Sequence, residues 1–384
     1  MSRIDTTSSG GAIHAASIVH VTDTHLFVDE HGAARSARER PRLVRTLERL
    51  GVRDLDFAAA DMTKRFADVF ERAVDLERAV LPAAGPVVVV HTGDAEAFGS
   101  SHDRRAFSGF EHLTRVLTGV GLEAAAVAVY GNHDVWPGSV ALFGINGPRH
   151  DHQKRALADT VDLVGRLPPV APIRFPTIGG FDLVFVPINS VNSHALRGGI
   201  LACGRVSPHP PSPGGVFDLV ASYELRSNDL NIAVMHHPPH FYRPLTVRDR
   251  LGVGRLDDAE LVADRLAAAG IDLVLAGHRH RLDPAFGGKV DATDATQWPL
   301  PAGMAQLVAI SPTIATDPAA ARRDPAGSPR SGLCVYRVMA AAVSISLHRV
   351  IHPTEPGFEL EPIVEDTTIA GLTIEPMVLR GPTQ

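Results

Sequence analysis

The chain has 384 residues, of which 45% are hydrophobic and 21% charged, so it carries enough apolar material for a full globular core. Its formal net charge is −6, from 37 basic and 43 acidic residues. Domains that bind nucleic acid through its phosphates normally carry a basic surplus, so this balance argues against a nuclease that works on long DNA.

The N-terminal sequence and the cysteine content bear on location. The chain has two cysteines, Cys203 and Cys334, which excludes a disulfide framework and fits a reducing compartment. MSRIDTTSSGGAIHAASIVH lacks the basic stretch and long apolar run of a signal peptide. No segment holds about 18 consecutive apolar residues, the length of a membrane-spanning helix. We therefore expect a soluble, cytoplasmic protein.

Apolar runs rich in valine and isoleucine recur along the chain and predict strands buried on both faces. In order they are SIVHVTD, PVVVVHTGD, AVAVYGNHD, FDLVFVPINS, NIAVMHH and IDLVLAGHRH. Each run ends in polar residues: Asp23, Asp94, Asn132 to Asp134, Asn189 and Ser190, His236 and His237, and His278 with His280.

Helical patterns lie between these strands. The first has an apolar face of Phe66, Val69, Phe70, Ala73 and Val74, and the second one of Leu157, Val161 and Val164. The third begins near Asp257 and Asp258, which are plausible caps, carries Leu261, Val262 and Leu266, and ends at Gly270. The alternation predicts an α/β fold, in which polar side chains gather at the carboxyl ends of the strands.

The C-terminal part has a different pattern. QLVAISPT, SGLCVYRV and AVSISLHRV predict consecutive strands between about 305 and 350, without long helices, that add antiparallel strands to a sheet. Residues 353–384 contain several prolines and predict an extended tail. We expect one domain over residues 1–352, with its main motifs between 18 and 281.

Two long loops flank the predicted polar edge, and each has two interpretations. Residues 26–56 form either a short solvated helix, or a flap that brings Arg35, Arg38 or Arg40 to an anionic substrate. Residues 135–156 begin with Trp136, which either packs against the protein or stacks on a substrate.

The polar groups at the strand ends have ordinary explanations when taken singly, as turns, caps or loop residues. Together they supply oxygen and imidazole donors without a thiolate, in a chain with 19 histidines. That donor set suits Mn²⁺, Fe or Zn²⁺. A cation also compensates the cost of burying so many polar groups together.

The order of these groups resembles the calcineurin-like metallophosphoesterases over residues 18 to 281. The family pattern is D-x-H, G-D, G-N-H-[DE], H and G-H-x-H. It is matched by Asp23 and His25, Gly93 and Asp94, Gly131-Asn132-His133-Asp134, His236, and Gly277-His278-Arg279-His280.

The resemblance implies a four-layer αββα sandwich of two mixed sheets flanked by helices, with the C-terminal strands completing the second sheet. It also implies two divalent ions, Mn²⁺, Fe²⁺/Fe³⁺ or Zn²⁺. One would take Asp23, His25 and His280, the other Asn132, His236 and His278, and Asp94 would bridge both. A hydroxide held between the ions would attack the phosphorus in line.

The resemblance leaves His133 free of metal. His133 would contact the substrate phosphate together with Asn132, and either stabilise the transition state or protonate the leaving oxygen. Asp134 would hold the other ring nitrogen of His133, or is a plain loop carboxylate. Of the two histidines in MHHPP, His236 lies at the strand end and is the expected ligand, with His237 beside it.

The segments INSVNSHALRGGILACGRVS, IAVMHHPP and LVLAGHRH look most like the bacterial cyclic-nucleotide phosphodiesterase branch, except that Asn189 stands where an aspartate is expected. We expect hydrolysis of a small phosphodiester such as a 3',5'-cyclic nucleotide. The alternatives are a phosphomonoesterase or phosphoprotein phosphatase, a nuclease, an enzyme for another substrate such as a nucleotide pyrophosphate, and a non-catalytic scaffold, which should have lost ligands.

The expected binding partner is a small phosphoester, and we expect no binding to membranes or nucleic acid. The sequence is compatible with a homo-oligomer.

Overall fold

The computed structural model describes residues 13–24, 60–95, 115–122, 125–135, 172–191, 203–206, 223–239, 254–278, 307–310, 332–341, 344–353 and 363–364. The predicted helix around Leu157 and the interiors of both long loops lie outside these ranges.

The described strands and helices alternate along most of the chain. The strands are β1 (Ile13–Val21), β2 (Val87–His91), β3 (Ala126–Ala128), β4 (Ile173–Pro176), β5 (Asp182–Pro187), β6 (Leu230–Val234), β7 (Leu273–Ala276), β8 (Leu307–Ile310), β9 (Gly332–Ala341), β10 (Ser344–Pro353) and β11 (Ile363–Val364). The helices are α1 (Ala60–Val80), the single turn α2 (Asn132–Val135) and α3 (Ala259–Ala268), and residues 115–119 are also helical. None of the helices within the described ranges is both long and apolar enough to cross a membrane.

The strands form two mixed sheets. One has the order β11-β10-β9-β1-β2-β3, with β1, β2 and β3 parallel and the C-terminal strands antiparallel. The other has the order β4-β5-β6-β7-β8, in which β5 to β8 are parallel and β4 is antiparallel. The predicted α/β fold with two mixed sheets and helices is confirmed.

The core is divided into three apolar layers that explain the burial of these strands on both faces. The central layer lies between the sheets and includes Ile18, Val90 and Tyr336 from the first and Phe185 and Ile232 from the second. A second layer packs α1 on the outer face of the first sheet, and a third packs α3 on the outer face of the other. Alternate residues of one strand therefore pack in different layers: in β1, Ile18 packs between the sheets and Val19 packs on the outer face.

Helix α1 follows the predicted apolar face, because Phe66, Phe70 and Ala73 are all fully buried against the sheet. Helix α3 is predicted less well at its start. Asp258 precedes the helix, but its carboxylate accepts the Val206 amide at 3.1 Å and makes no capping bond. Leu261, expected on the apolar face, is 44% exposed.

The expectation that the C-terminal strands together complete the second sheet is wrong. Strand β8 joins the second sheet, and it does so in parallel with β7. Strands β9 and β10 instead extend the first sheet, where β9 pairs antiparallel with β1. Residues of β9 are buried on both faces, Leu333 towards α1 and Cys334 between the sheets, so this strand requires a place inside a sheet. In the predicted tail, Ile363 and Val364 pair with β10.

A buried ion pair ties α1 to the first sheet. Glu77 is fully buried, and its carboxylate accepts Arg337 Nη2 at 2.8 Å and Nε at 3.1 Å. The same carboxylate accepts the Ser17 hydroxyl at 2.7 Å, and Ser17 in turn contacts His14 at 2.9 Å. The helix therefore docks through one satisfied charge as well as through its apolar face.

We predict that Glu77→Gln lowers the free energy of unfolding by about 2–4 kcal/mol, because Arg337 loses its buried partner. Chemical denaturation of the purified variant measures this change. Asp75→Asn is the matched control, since Asp75 lies exposed on the same helix. Equal stability of the two variants would contradict a docking role for Glu77.

Candidate metal centre

Polar residues from both sheets meet at one end of the sandwich. Asp23, Asp94 and Asn132 follow β1, β2 and β3 of the first sheet, and His236 and His278 follow β6 and β7 of the second. The parallel direction within each set places all of these residues at carboxyl ends, where the sequence predicts them.

Hydrogen bonds join the two sheets at this end. The His278 amide donates to Asp23 Oδ2 at 2.9 Å, and His236 Nδ1 donates to the Thr92 carbonyl at 2.7 Å. Thr22 Oγ1 donates to the same Asp23 oxygen at 2.5 Å. Because two of these three bonds involve a backbone group at a strand end, the strand ends help to position the side chains of Asp23 and His236.

The second ring nitrogen of His236 is the centre of the cluster. Within 3.2 Å of Nε2 lie Asn132 Oδ1 at 3.0 Å, His278 Nδ1 at 3.1 Å and Asp94 Oδ2 at 3.2 Å. The Thr92 carbonyl can only accept, so the proton of a neutral His236 resides on Nδ1 and its Nε2 presents a lone pair. A lone pair that faces a carboxylate and an amide oxygen requires a proton or a metal cation between them.

The electrostatics favour positive charge at this point. Burial alone would lower the pKa of His236, but the Asp94 carboxylate, with smaller contributions from Asp23 and the Thr92 carbonyl, raises the pKa to about 9. The metal-donor oxygens of Asp23 and Asp94 lie within 4.8 Å of each other, and both residues are fully buried. Two buried carboxylates this close are strongly stabilised by bound cations.

Backbone strain is concentrated in the same residues. Within the described ranges, the non-glycine residues with positive φ are Asp23 at 48°, Asp94 at 54° and His278 at 70°. Such conformations cost on the order of 1–3 kcal/mol each and collect at functional sites. All three residues are predicted metal ligands, so strained backbone occurs where the ligands leave their strands.

Glycines allow the ligand loops to approach each other. A Cβ atom at Gly131 would collide with the carboxylate and amide of Asp94, and one at Gly277 would collide with the Thr22 hydroxyl and approach Asp23. These are the glycines of the G-N-H-D and G-H-x-H motifs. Their physical role is therefore close contact between neighbouring ligand loops.

His237 is a further buried imidazole at the edge of the cluster. Its ring centroid lies 4.3 Å from that of His278, and Ser190 Oγ contacts its Nδ1 at 3.0 Å and its amide at 3.1 Å. The backbone of Gly204 covers the ring, because a Cβ there would collide with it. The sequence placed His237 beside the ligands, but gave no indication that Ser190 and Gly204 enclose it.

His20 lies beneath the site, between the sheets. Its Nε2 contacts Thr92 Oγ1 at 3.0 Å, next to the carbonyl that accepts His236. Burial, and secondarily the proximity of His91, lowers the pKa of His20 to about 3 although Asp23 opposes the shift. His20 is therefore a neutral, buried support at neutral pH.

Five of the seven predicted metal ligands lie within the described residues, and the structure brings all five together: Asp23, Asp94, Asn132, His236 and His278. His25, His280, Arg35, Arg38, Arg40 and Trp136 lie outside these residues. His133 occupies α2, with its side chain outside the described part. Asp134 is buried, and its Oδ2 accepts the amides of Gly131 at 2.7 Å and Asp94 at 2.9 Å.

The described donors fit a metal centre. The ligand atoms of Asp23, Asp94 and His236 lie within 4.8 Å of one another, and so do those of His236, His237 and His278. Carboxylate, amide and imidazole donors are the ligands that hard and borderline divalent metals prefer. His236 belongs to both groups, so the donors surround one continuous site.

The chain matches a known protein family over most of its length. Residues 16–282 match the family described as calcineurin-like phosphoesterase, and the chain belongs to that family. Its members are metal-dependent phosphoesterases and typically bind two divalent metals. The matched region contains every predicted metal ligand. No curated protein sequence matches the chain significantly.

The solved structures that match this chain have low sequence identity to it. The calcineurin-like phosphoesterase YfkN from Bacillus subtilis is 11% identical, with a TM-score of 0.39, over 92% of this chain and 89% of its own. The purple acid phosphatase PPD1 from yellow lupin seeds is 11% identical, with a TM-score of 0.42, over 92% of this chain and 53% of its own. PhoD is 10% identical, with a TM-score of 0.44, over 93% of this chain and 70% of its own.

We predict that Gly131→Ala lowers metal affinity by at least about 10-fold, because the new methyl group displaces the Asp94 carboxylate. Loss of groups that only support metal ligands typically lowers metal affinity about 10–100-fold, and displacement of a ligand should cost at least as much. Competition with a chelating dye for Mn²⁺ measures the affinity. Gly119→Ala is the control, since a Cβ at Gly119 meets no atom within 4 Å. Wild-type affinity in the Gly131 variant would contradict the close approach of the two loops.

Proposed function

We propose that this protein hydrolyses a phosphodiester of a small molecule, with a 3',5'-cyclic nucleotide as the leading candidate. The observation that carries the proposal is the convergence of Asp94, Asn132 and His278 within 3.2 Å of His236 Nε2. Lone pairs directed at one another in this way need a proton or a metal cation between them. A metal-dependent phosphoester hydrolase uses metal cations in its active site.

The proposed centre holds two divalent ions, Mn²⁺, Fe²⁺/Fe³⁺ or Zn²⁺. Asp23, His25 and His280 would hold one and Asn132, His236 and His278 the other, with Asp94 between them. When bound, the ions lower the pKa of a water nucleophile and offset the charge of the phosphoryl oxygens. Two carboxylates against two divalent ions leave the site net positive, which favours an anionic substrate.

The residues of this chain orient the substrate and handle the leaving-group proton. We assign Asn132 to the substrate phosphate as well as to a metal. His133 follows it in α2 and is the proposed proton donor to the leaving oxygen. His236 cannot take that part, since its Nδ1 donates to the Thr92 carbonyl and its Nε2 faces the ligands.

Sequence features support a small diester. The segments that resemble the cyclic-nucleotide branch contain Ser190 and His237, which contact each other beside the centre. The acidic balance of the whole chain disfavours a long nucleic-acid substrate.

The buried thiols Cys203 and Cys334 are consistent with the proposed cytoplasmic location.

We predict that Asp94→Ala and His278→Ala abolish turnover of bis-(p-nitrophenyl) phosphate and lower the metal content of the purified protein. Each change removes a donor from the centre. Metal analysis and a colorimetric assay with added Mn²⁺ measure the two effects. Full activity of the wild-type protein after chelator treatment, assayed without added metal, would refute the metal-dependent proposal.

We predict that His133→Ala lowers turnover about 10²–10⁴-fold, as expected for loss of a general acid, and leaves metal content nearly unchanged. The loss should be larger for a cyclic nucleotide, whose alkoxide leaving group needs a proton, than for the nitrophenyl ester. Equal loss of metal and turnover would make His133 a ligand instead.

The substrate class is tested by rates measured side by side with Mn²⁺. The panel is cyclic AMP, bis-(p-nitrophenyl) phosphate, p-nitrophenyl phosphate and single-stranded DNA. The proposal expects the highest kcat/KM for a diester of small size. A clear preference for the monoester would favour a phosphomonoesterase, and one for DNA a nuclease.

A further inference from the structure

Asp134 connects the loops that follow β2 and β3. One of its carboxylate oxygens, Oδ2, accepts the Gly131 amide at 2.7 Å and the Asp94 amide at 2.9 Å. The side chain is only 1% exposed, so these amides help to stabilise its charge in place of water.

The two amides belong to the backbone that positions metal ligands. Asp94 has a φ of 54°, in the left-handed region, and in this conformation its backbone N–H donates a hydrogen bond to Asp134 Oδ2. Gly131 immediately precedes Asn132 and packs directly against the Asp94 carboxylate. One oxygen atom therefore accepts hydrogen bonds from the backbone of one proposed ligand, Asp94, and from the residue before the other, Asn132.

We propose that Asp134 is a positioning residue that holds Asp94 and Asn132 at the spacing required for metal binding. This inference rests on the proposed function, since it gives the two residues their role as ligands. It differs from the sequence-based hypothesis, in which Asp134 holds the ring of His133. The contacts of Oδ2 point to the ligand backbone.

A carboxylate suits this position better than other acceptors. A single oxygen accepts two amide hydrogens, and the bonds are charge-assisted. Loss of the side chain leaves two backbone N–H groups without their acceptor next to a strained residue. An asparagine oxygen at the same place still accepts hydrogen bonds, although more weakly.

The test compares Mn²⁺ affinity of the full-length wild type, Asp134→Ala and Asp134→Asn by competition with a chelating dye. We expect Asp134→Ala to weaken binding about 10–100-fold, the range typical of groups that support metal ligands. Asp134→Asn should restore part of the loss and serves as the deciding variant if the alanine protein does not fold. Wild-type affinity in Asp134→Asn and Asp134→Ala would overturn the inference.

Asp272→Ala is the matched control. Asp272 Oδ2 accepts the Asn231 amide at 2.9 Å, which is the same kind of bond at the amino ends of β6 and β7. Its Mn²⁺ affinity should equal that of the wild type. A loss equal to that of Asp134→Ala would show a general effect on stability and overturn the positioning role.

Two further measurements separate this inference from its alternatives. If Asp134 positions the ligands, the pH profile of kcat keeps its shape in Asp134→Asn. A shift of the profile that matches that of His133→Ala would support the His133 hypothesis and overturn ours.

Amide hydrogen exchange of metal-free protein should accelerate at Gly131 and Asp94 in Asp134→Ala. This readout tests the two amide hydrogen bonds directly, and unchanged exchange rates would overturn the inference. If the wild type bound no metal, that result would refute the proposed function, whatever the exchange rates are.

Discussion

The site is a cluster of buried carboxylate, amide and imidazole lone pairs, which needs a positive charge among them. Asp23 and Asp94 are fully buried carboxylates, and His236 Nε2 faces one of them together with the amide oxygen of Asn132. Water cannot stabilise these groups, and their mutual repulsion in a low-dielectric interior is costly. A folded chain tolerates the arrangement because protons or metal ions offset it, and the raised pKa of His236 reflects the same demand.

The fold brings the donor residues of this cluster together. Parallel strands in both sheets end at the same edge, and bonds such as His236 to the Thr92 carbonyl connect the sheets there. The apolar layer between the sheets holds them face to face, so the predicted ligands lie at the end of a buried apolar layer. Strain in Asp23, Asp94 and His278 is the local cost of turning the side chains towards one point.

Much of this arrangement was predictable from the sequence because it follows from local patterns. Apolar runs that end in Asp, Asn or His indicate both the strands and their polar ends, and parallel pairing then places those ends together. The place of β9 between β1 and β10 was not predictable, since pairing between distant strands leaves no periodic trace. The same limit applies to Asp258, which resembles a helix cap in sequence but binds the Val206 amide. Contacts such as Ser190 with His237 likewise join residues far apart in the chain.

We propose that the donors around His236 would hold two metal ions, with Asp94 as a ligand of both. Anomalous scattering from crystals grown with Mn²⁺ tests it most directly, because the signal locates the ions without reference to activity. We expect two peaks at the carboxyl ends of β1, β2, β6 and β7, both in contact with the Asp94 carboxylate. Absence of peaks there, or manganese bound only elsewhere on the protein, would contradict it.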